Sequence, residues 1–312
     1  MKVLVTGGAG FIGRYVVDAL LTENYDVAVI DYDRTSALSR MENVEYYPVD
    51  ITRGLDQVFE IEQPECVIHL AAQVDVTKSA ADPGLDAETN IYGTINILKS
   101  CQKHRVGKII FASSAAVYGE PQFLGISEDH PQVPISFYGI SKHAAENYVK
   151  LYASLHGINY TILRYANVYG PVFDQKGEGN VIFNFLEKMT NGRRPIIYGN
   201  GNQTRDFIFV KDVAAAILAA IRRGDQQTLN IGTNLPTNLN QLAAQLNSLL
   251  GTELMPEYLT DRSGDIKESY LENKKALREL DWKVRYPLTK GLKETIENWN
   301  HDPLNDMDKN YQ

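Results

Sequence analysis

The sequence predicts an α/β protein: a Rossmann-type, doubly wound parallel sheet, followed by a smaller α/β C-terminal lobe placed to bind a ligand. Three observations carry this expectation. Short apolar strands alternate with helical patterns through the first half of the chain. A glycine-rich segment, Thr6-Gly-Gly-Ala-Gly-Phe-Ile-Gly13, follows straight after the first strand. Beyond Asn167 the alternation gives way to longer loops and shorter elements.

In order along the chain, Lys2–Thr6 reads as a buried strand and Phe11–Leu21 as a helix, from its apolar residues at helical spacing. Asp26–Asp31, Val44–Val49 and Cys66–Leu70 read as further strands. A helix near Asp86–His104, the strand Lys108–Ala112, a helix over Phe137–His156 and the strand Asn159–Leu163 complete the alternation. Strands joined through helices run parallel, because only a crossover can bring the chain back to the starting edge. Later helices are expected near Val181–Thr190, Asp212–Arg222, Leu239–Leu250 and Leu288–Trp299, with a turn at Tyr198-Gly-Asn-Gly201. A strand near Thr228–Ile231 is expected to return to the main sheet. This divides the chain into a nucleotide-binding part, residues 1–166 joined by a returning segment 206–232, and a ligand lobe made of 167–205 and 233–312. Residues 301–312 are polar and expected to fray.

At 312 residues the chain exceeds one ordinary core, which favours two lobes with a cleft between them. A formal charge of -8 argues against general binding to nucleic acid or anionic membranes, since the surface as a whole repels both. The two cysteines, Cys66 and Cys101, form no metal-spaced cluster and are too few to staple such a chain, so no metal site is expected. The first residues already read as a strand, with no signal-peptide pattern, and no segment is apolar over a membrane-spanning length. A cytoplasmic protein is the expectation.

Gly7, Gly10 and Gly13 fall where the first strand must turn into the first helix, where a diphosphate can rest on backbone N–H groups. Asp31 closes the second strand about twenty residues further on, where a carboxylate accepts both ribose hydroxyls and repels a 2′-phosphate. The pairing implies NAD in preference to NADP. Asp50-Ile51 and Leu70-Ala71-Ala72 lie at the carboxyl ends of neighbouring strands, along the same edge. Taken singly, each could equally be ordinary loop packing.

Tyr138 and Lys142 stand four residues apart on one helix face, so the ammonium can stabilise a nearby phenolate and make the tyrosine a base. Ser113 and Ser114 end the fifth strand on the same edge, where a hydroxyl can orient an alcohol for oxidation. His69, at another strand end, reads as a satisfied core histidine rather than a catalyst.

These residues belong to longer motifs: Val5-Thr-Gly-Gly-Ala-Gly-Phe-Ile-Gly13, His69-Leu-Ala-Ala72, Ser113-Ser-Ala-Ala-Val-Tyr-Gly119, Tyr138-Gly-Ile-Ser-Lys142, Arg164-Tyr-Ala-Asn-Val-Tyr-Gly-Pro171 and Arg205-Asp-Phe-Ile-Phe-Val210. In this order they resemble the extended short-chain dehydrogenase/reductase family over nearly the whole chain, and within it the NAD-dependent nucleotide-sugar epimerases of the UDP-glucose 4-epimerase type. The resemblance implies Ser114, Tyr138 and Lys142 as the catalytic set. It implies Phe11, Ile12, Tyr32, Gln73, Asn90, Ser113, Tyr165 and Ala166 beside the cofactor, with the glycines, Asp31, Asp50, Ile51 and Leu70–Ala72. Around the UDP-sugar it implies Val76, Ala115, Ala116, Asn167, Asn180, Val181, Ile197, Tyr198, Arg205, Arg262, Asp265 and Ser269. Convergent arginines suit a diphosphate bound by an acidic protein.

Within the family the chain lacks the acids that follow the fifth strand in dehydratases, having Ser114-Ala-Ala116, and carries Val172-Phe173-Asp174 where a uronate-binding arginine would help. Both departures favour a neutral hexose. The resemblance gives the position counted as Ser269 control of the room beside the sugar's C2 substituent. A small residue there implies that UDP-N-acetylglucosamine and its galacto partner are accepted along with the glucose pair. A slip of one would bring Tyr270 there and reverse the inference. UDP-glucuronate 4-epimerisation, another oxidoreductase or dehydratase of the family, and a non-catalytic NAD-sensing module stand as alternatives. The resemblance also implies a homodimer formed through the helices near Asp86–His104 and Phe137–His156.

Overall fold

A computed structural model describes residues 1–33, 38, 41, 43–171, 181–261 and 266–299. Its centre is a seven-stranded parallel sheet built from β1 (Lys2–Thr6), β2 (Asp26–Asp31), β3 (Val44–Pro48), β4 (Cys66–His69), β5 (Lys108–Ser114), β6 (Asn159–Tyr165) and β10 (Gln227–Ile231). The strand order is β10-β6-β5-β4-β1-β2-β3, and every pairing is parallel. This is the doubly wound Rossmann-like arrangement, with the order reversing between β1 and β4.

Helices cover both faces, which is why the strands read as continuous apolar runs rather than as alternation. In β1, Val3 and Val5 join a core with α1 (Phe11–Thr22) and α8 (Val210–Arg222), whereas Leu4 points to the opposite core. That second core takes Val58 and Phe59 from α2 (Asp56–Glu62), Ile97 and Leu98 from α5 (Gly93–Lys103), and Ala145 and Val149 from α6 (Phe137–His156). Cys66 and Cys101 are free and buried, and burial pushes both thiols up.

The later elements are β7 (Asn167–Tyr169), α7 (Val181–Met189), β8 (Ile196–Tyr198), β9 (Thr204–Phe209), β11 (Pro236–Asn238), α9 (Leu239–Leu250), β12 (Glu257–Leu259), α10 (Lys274–Leu280) and α11 (Leu288–Glu297). They add a three-stranded sheet, β11-β9-β7, and the pair β12-β8. Phe185, Leu186, Phe207, Phe209, Leu242, Leu246 and Leu292 form a core of their own there.

The structure departs from the sequence reading in the short strands β7, β8, β9, β11 and β12, which no local pattern announces, and in the first half of the chain. The helix expected over Asp86–His104 is interrupted: α4 (Pro83–Ala87) passes into a π turn, Glu88–Tyr92, before α5 begins. Ahead of it lies a short helix, α3 (Val76–Ala81), capped by Asp75, while Asp82 caps α4. β5 continues through Ser114, so both serines lie within the strand and face opposite ways. No helix among the described residues is long and apolar enough to cross a membrane.

Candidate active site

The turn from β1 to α1 lies at the point where strand order reverses. Gly7 takes φ +72, and a Cβ there would come 2.6 Å from the Ala71 backbone nitrogen. Gly13 is packed tighter still, its missing Cβ lying 2.1 Å from the Gly7 carbonyl oxygen. At Gly10 packing makes no such demand, the nearest atom being 3.3 Å away. Gly10 is also the N-cap of α1, with no side-chain cap and no acid in the first turn. Bare backbone at a helix start, with a Cβ left out where packing asks for it far less than at Gly13, fits a diphosphate. Phe11, half-buried, stacks edge-on against Tyr15; Ile12 packs on the α1-side core.

Asp31 is buried, and its carboxylate accepts the Ala9 N–H (2.9 Å) and the Asp33 N–H (3.1 Å). Burial, only partly offset by these bonds, raises its pKa. It thereby joins the end of β2 to the glycine turn, where the ribose of a dinucleotide would lie. Tyr32 beside it is exposed. On the next strand end, Asp50 is exposed and caps the Thr52 N–H, while Ile51 is buried against Gly93 of α5.

His69 is the satisfied core residue the sequence suggested, and more. The Ala71 N–H donates to Thr6 Oγ1 (3.3 Å), which meets His69 Nδ1 at 2.7 Å; His69 Nε2 meets Thr94 Oγ1 at 3.0 Å, and Thr94 donates to the Asn90 carbonyl (2.6 Å). Since Thr94 spends its proton on Asn90, His69 carries its proton on Nε2 and accepts from Thr6. Burial, and then the Lys142 ammonium, push the imidazole down to about 3, so it stays neutral. The chain braces Leu70, Ala71 and Ala72, which are half-buried at the end of β4. Asn90, within the π turn, is also committed: its side chain pairs with both the N–H and the carbonyl of Gln73 (2.8 Å each) and reaches Ser141 (3.0 Å). It holds the Gln73 segment in place as a brace.

Across the crevice, Ser114 caps a short 3-10 turn, Ala115–Val117, and its hydroxyl accepts the Ala116 N–H at 3.2 Å. Ser136 caps α6, and Gly139 lets the helix start close in: a Cβ there would lie 2.6 Å from the Ala116 carbonyl oxygen. That approach brings Tyr138 to the turn that carries Ser114, Ala115 and Ala116, all half-buried. Lys142, one turn on, is buried and donates from Nζ to the Ala112 carbonyl (2.9 Å) over the Phe111 ring.

Ser113 faces the other way, donating to Glu146 on α6 (2.6 Å). Arg164 grips the same carboxylate with two bonds of 2.8 and 2.6 Å. Burial pushes Glu146 up, but the guanidinium and the serine outweigh it and hold the carboxyl below its ordinary value. Removing one partner would strand a buried charge, at a cost of about 3–5 kcal/mol. Tyr165 is buried, its hydroxyl has no hydrogen-bond partner among the described residues, and burial and then Tyr138 push its pKa well up. An orphaned phenol beside the crevice fits a bound polar group. Ala166 follows it, half-buried.

The substrate-side candidates are less uniform. Val76 is exposed at the start of α3, Asn167 is exposed, and Val181 and Tyr198 are half-buried. Ile197 is fully buried in the C-terminal core and pairs with Tyr258, so only its backbone can meet a ligand. Arg205 is half-buried and donates to the Thr204 carbonyl. Ser269 is held beside it through its N–H to the Thr204 carbonyl (3.2 Å), and Leu271 through its N–H to buried Asp206 (3.2 Å). Asn180, Arg262, Asp265 and the segment 172–174 lie outside the described residues. Tyr270 lines a cavity of about 450 Å³ with Leu124, Gly125, Asn234, Pro236, Glu272 and Lys274, none of them a candidate. Another of about 670 Å³ opens at the opposite, amino-terminal edge of the sheet, between Glu65, Lys108 and Asp225, away from the chemistry. No cluster of His, Cys, Asp or Glu able to hold a metal occurs among the described residues.

Sequence reasoning missed Glu146, Arg164, Tyr118 and Asp206 as parts of the site's frame. Glu146 had a usable signal, lying four residues beyond Lys142 on the same helix face.

Comparison with known proteins agrees with this geometry. Residues 3–232 match the NAD dependent epimerase/dehydratase family. A putative UDP-glucose 4-epimerase of Methanocaldococcus jannaschii is 44% identical, covering 95% of this chain and 97% of that protein. The structure of the Thermotoga maritima UDP-glucose 4-epimerase with UDP-glucose superposes with a TM-score of 0.91 at 40% identity, over 95% of this chain and 98% of that one. A UDP-N-acetylglucosamine 4-epimerase from Methanobrevibacter ruminantium, in complex with UDP-N-acetylmuramic acid, gives 0.89 at 32% identity, over 95% and 97%. With the glycine turn, Asp31 and the Ser–Tyr–Lys edge all in place, this chain belongs to the NAD-dependent epimerase/dehydratase family.

Proposed function

We propose that the protein interconverts C4 epimers of a UDP-hexose, using NAD held in the crevice. The carrying observation is the close packing of the start of α6, which bears Tyr138 and Lys142, against the turn that Ser114 caps, where a Cβ on Gly139 would lie 2.6 Å from the Ala116 carbonyl oxygen. The glycine turn and Asp31 would hold the diphosphate and a ribose. Bound NAD supplies the acceptor, and then the donor, of the C4 hydride.

Ser114 orients the sugar's 4-hydroxyl and Tyr138, as phenolate, takes its proton while hydride leaves C4. Lys142 stabilises the phenolate from one helical turn away. The 4-keto sugar turns over in the site, hydride returns to its other face, and Tyr138 gives the proton back. No net redox change results. Tyr198, Arg205 and Ser269, with Asn180, Arg262 and Asp265, are the residues to hold the UDP-sugar.

For the sugar itself, glucose/galactose and the N-acetylglucosamine/N-acetylgalactosamine pair are the substrates this reading favours. Glu268 and Leu271 form isolated bridges to Thr204 and Ile126. Leu271 packs inward on Val117 and Tyr118, with Ala115 and Ala166 against the same cluster. Ser269 is tied to the Thr204 carbonyl beside Arg205 (3.2 Å), whereas Tyr270 lines the cavity with Gly125. With Ser269 read as the residue beside the sugar's C2 substituent, a small side chain there favours acceptance of an N-acetyl group. Separate incubation with UDP-glucose, UDP-N-acetylglucosamine and UDP-glucuronate, with C4 epimers resolved by chromatography, tests this. Conversion of the first two is expected; conversion of the uronate alone would overturn the assignment.

Two further expectations join the proposal. The core around α7 and α9 supports a separate ligand lobe, expected over 167–205 and 233–312; of the returning segment 206–232, α8 and β10 join the nucleotide-binding part, whereas residues 206–209 of β9 pair with β7 and β11 of the ligand lobe. On α6, Ile140, Tyr148, Leu151 and Leu155 form one exposed apolar stripe, Leu155 being 67% exposed, with Tyr92 exposed nearby in sequence to α5. We read it as a homodimer face. Sedimentation equilibrium is expected to give a dimer for the wild type and a monomer for Leu151→Lys/Leu155→Lys; a monomeric wild type would refute it.

A further inference from the structure

We propose that the buried Glu146–Arg164 pair is a positioning device: by clamping α6 to the ends of β5 and β6, it sets where Tyr138 stands relative to Ser114. The role rests on the reaction proposed above. Tyr138, Lys142 and Glu146 succeed one another at four-residue intervals along one face of α6. Lys142 ties that face to the Ala112 carbonyl (2.9 Å) and Glu146 ties it to the Ser113 hydroxyl (2.6 Å). Glu146 also holds Arg164, the residue before Tyr165 on β6.

Arg164 then reaches the Tyr118 hydroxyl (2.9 Å), just past the turn that Ser114 caps, and Tyr118 donates to Asn230 on β10 (2.6 Å). Both flanks of Ser114 are therefore held, Ser113 by Glu146 and Tyr118 by Arg164. The helix that carries the base is fixed to the same two charged groups.

Stability does not account for the pair. The Arg164 and Glu146 side chains are 1% and 0% exposed, and apolar residues of similar volume commonly serve such positions as well or better. What the pair adds is direction, because a planar guanidinium meets a carboxylate in one arrangement, whereas leucine and methionine allow a helix to slide. A displacement of the base by a fraction of its reach is enough to slow proton transfer without loosening substrate.

The test is the double variant Glu146→Leu/Arg164→Met, which removes both buried charges together; Lys150, 3.6 Å from Glu146, keeps 35% of its side chain in water. Its melting temperature is expected to stay near the wild-type value and its KM for UDP-glucose to hold, while kcat falls about 10²-fold. Amide hydrogen exchange should quicken in 137–142 and 114–118 and stay unchanged in β1, β2 and β3. A wild-type kcat, or unchanged exchange in those two segments, overturns the proposal. The exchange readout uses no sugar, so a wild type that turns over no UDP-hexose would sink the proposed reaction alone and leave the positioning role to the exchange pattern. If the double variant does not fold, Ser113→Ala decides, since it cuts the tie from Glu146 to β5 and leaves the ion pair whole: lowered kcat at unchanged KM with faster exchange in 114–118 supports the role, and unchanged kcat ends it.

Discussion

Replacing Tyr138 with phenylalanine is expected to lower kcat for UDP-glucose to UDP-galactose conversion by about 10²–10⁴-fold, the range that a positioned acid–base group contributes. The substitution removes one oxygen. Tyr138 is only half-buried, and the anchors of its helix turn are backbone and neighbours: its own N–H to Ser79, Ser136 to the Gly139 N–H, and Lys142 to Ala112. These anchors all remain in the variant, so the fold should persist. The proton moves only as hydride leaves, so the loss belongs to the transition state: kcat and kcat/KM should fall together while KM holds. Steady-state kinetics with bound NAD measured separately checks this. A variant within a few-fold of wild type would remove Tyr138 from its role, and a variant that also shed NAD would show the phenol to be a binding group.

The sequence made the sheet legible because buried parallel strands announce themselves as apolar runs, and because the glycine turn and Asp31 mark the first two strand ends without ambiguity. The strand-end serines and the Tyr–Lys helix face were legible for the same reason: their spacing is local. What stayed hidden depends on partners far along the chain. β8 and β12 are three residues each and pair across some sixty positions, leaving no local pattern to read. Glu146 and Arg164 are separated by 18 residues and look like ordinary surface charges until the sheet closes over them. The π turn around Asn90 was read as plain helix, since one inserted residue does not alter apolar spacing enough to be noticed. Ile197 is a different case: its side chain lies in the C-terminal core, a burial that depends on elements far along the chain.

The glycines of the turn allow a sharper experiment, because two that look alike in the motif should fail in different ways. At Gly13 an added Cβ would sit 2.1 Å from the Gly7 carbonyl oxygen and 2.7 Å from the Gly8 Cα, both backbone atoms that no rotamer change can move aside. Gly13→Ala must therefore push α1 off the turn, and overpacking of this kind costs about 1–3 kcal/mol or more before any cofactor is considered. The unfolding midpoint of the cofactor-free protein should drop, and NAD binding with it. At Gly10 the nearest atom, the Gly7 carbonyl oxygen, is 3.3 Å away, so Gly10→Ala asks only a small shift and should cost the cofactor-free protein less than Gly13→Ala. Its methyl group would stand at the uncapped start of α1, where the diphosphate is expected to rest, so the loss should appear chiefly in NAD affinity, by tenfold or more for about 1.4 kcal/mol of lost contact. Denaturant titration paired with calorimetric NAD binding separates the two. Equal stability of both variants would mean that Gly13 is not the packing contact inferred here, and full NAD affinity in Gly10→Ala would move the diphosphate away from the N-terminus of α1.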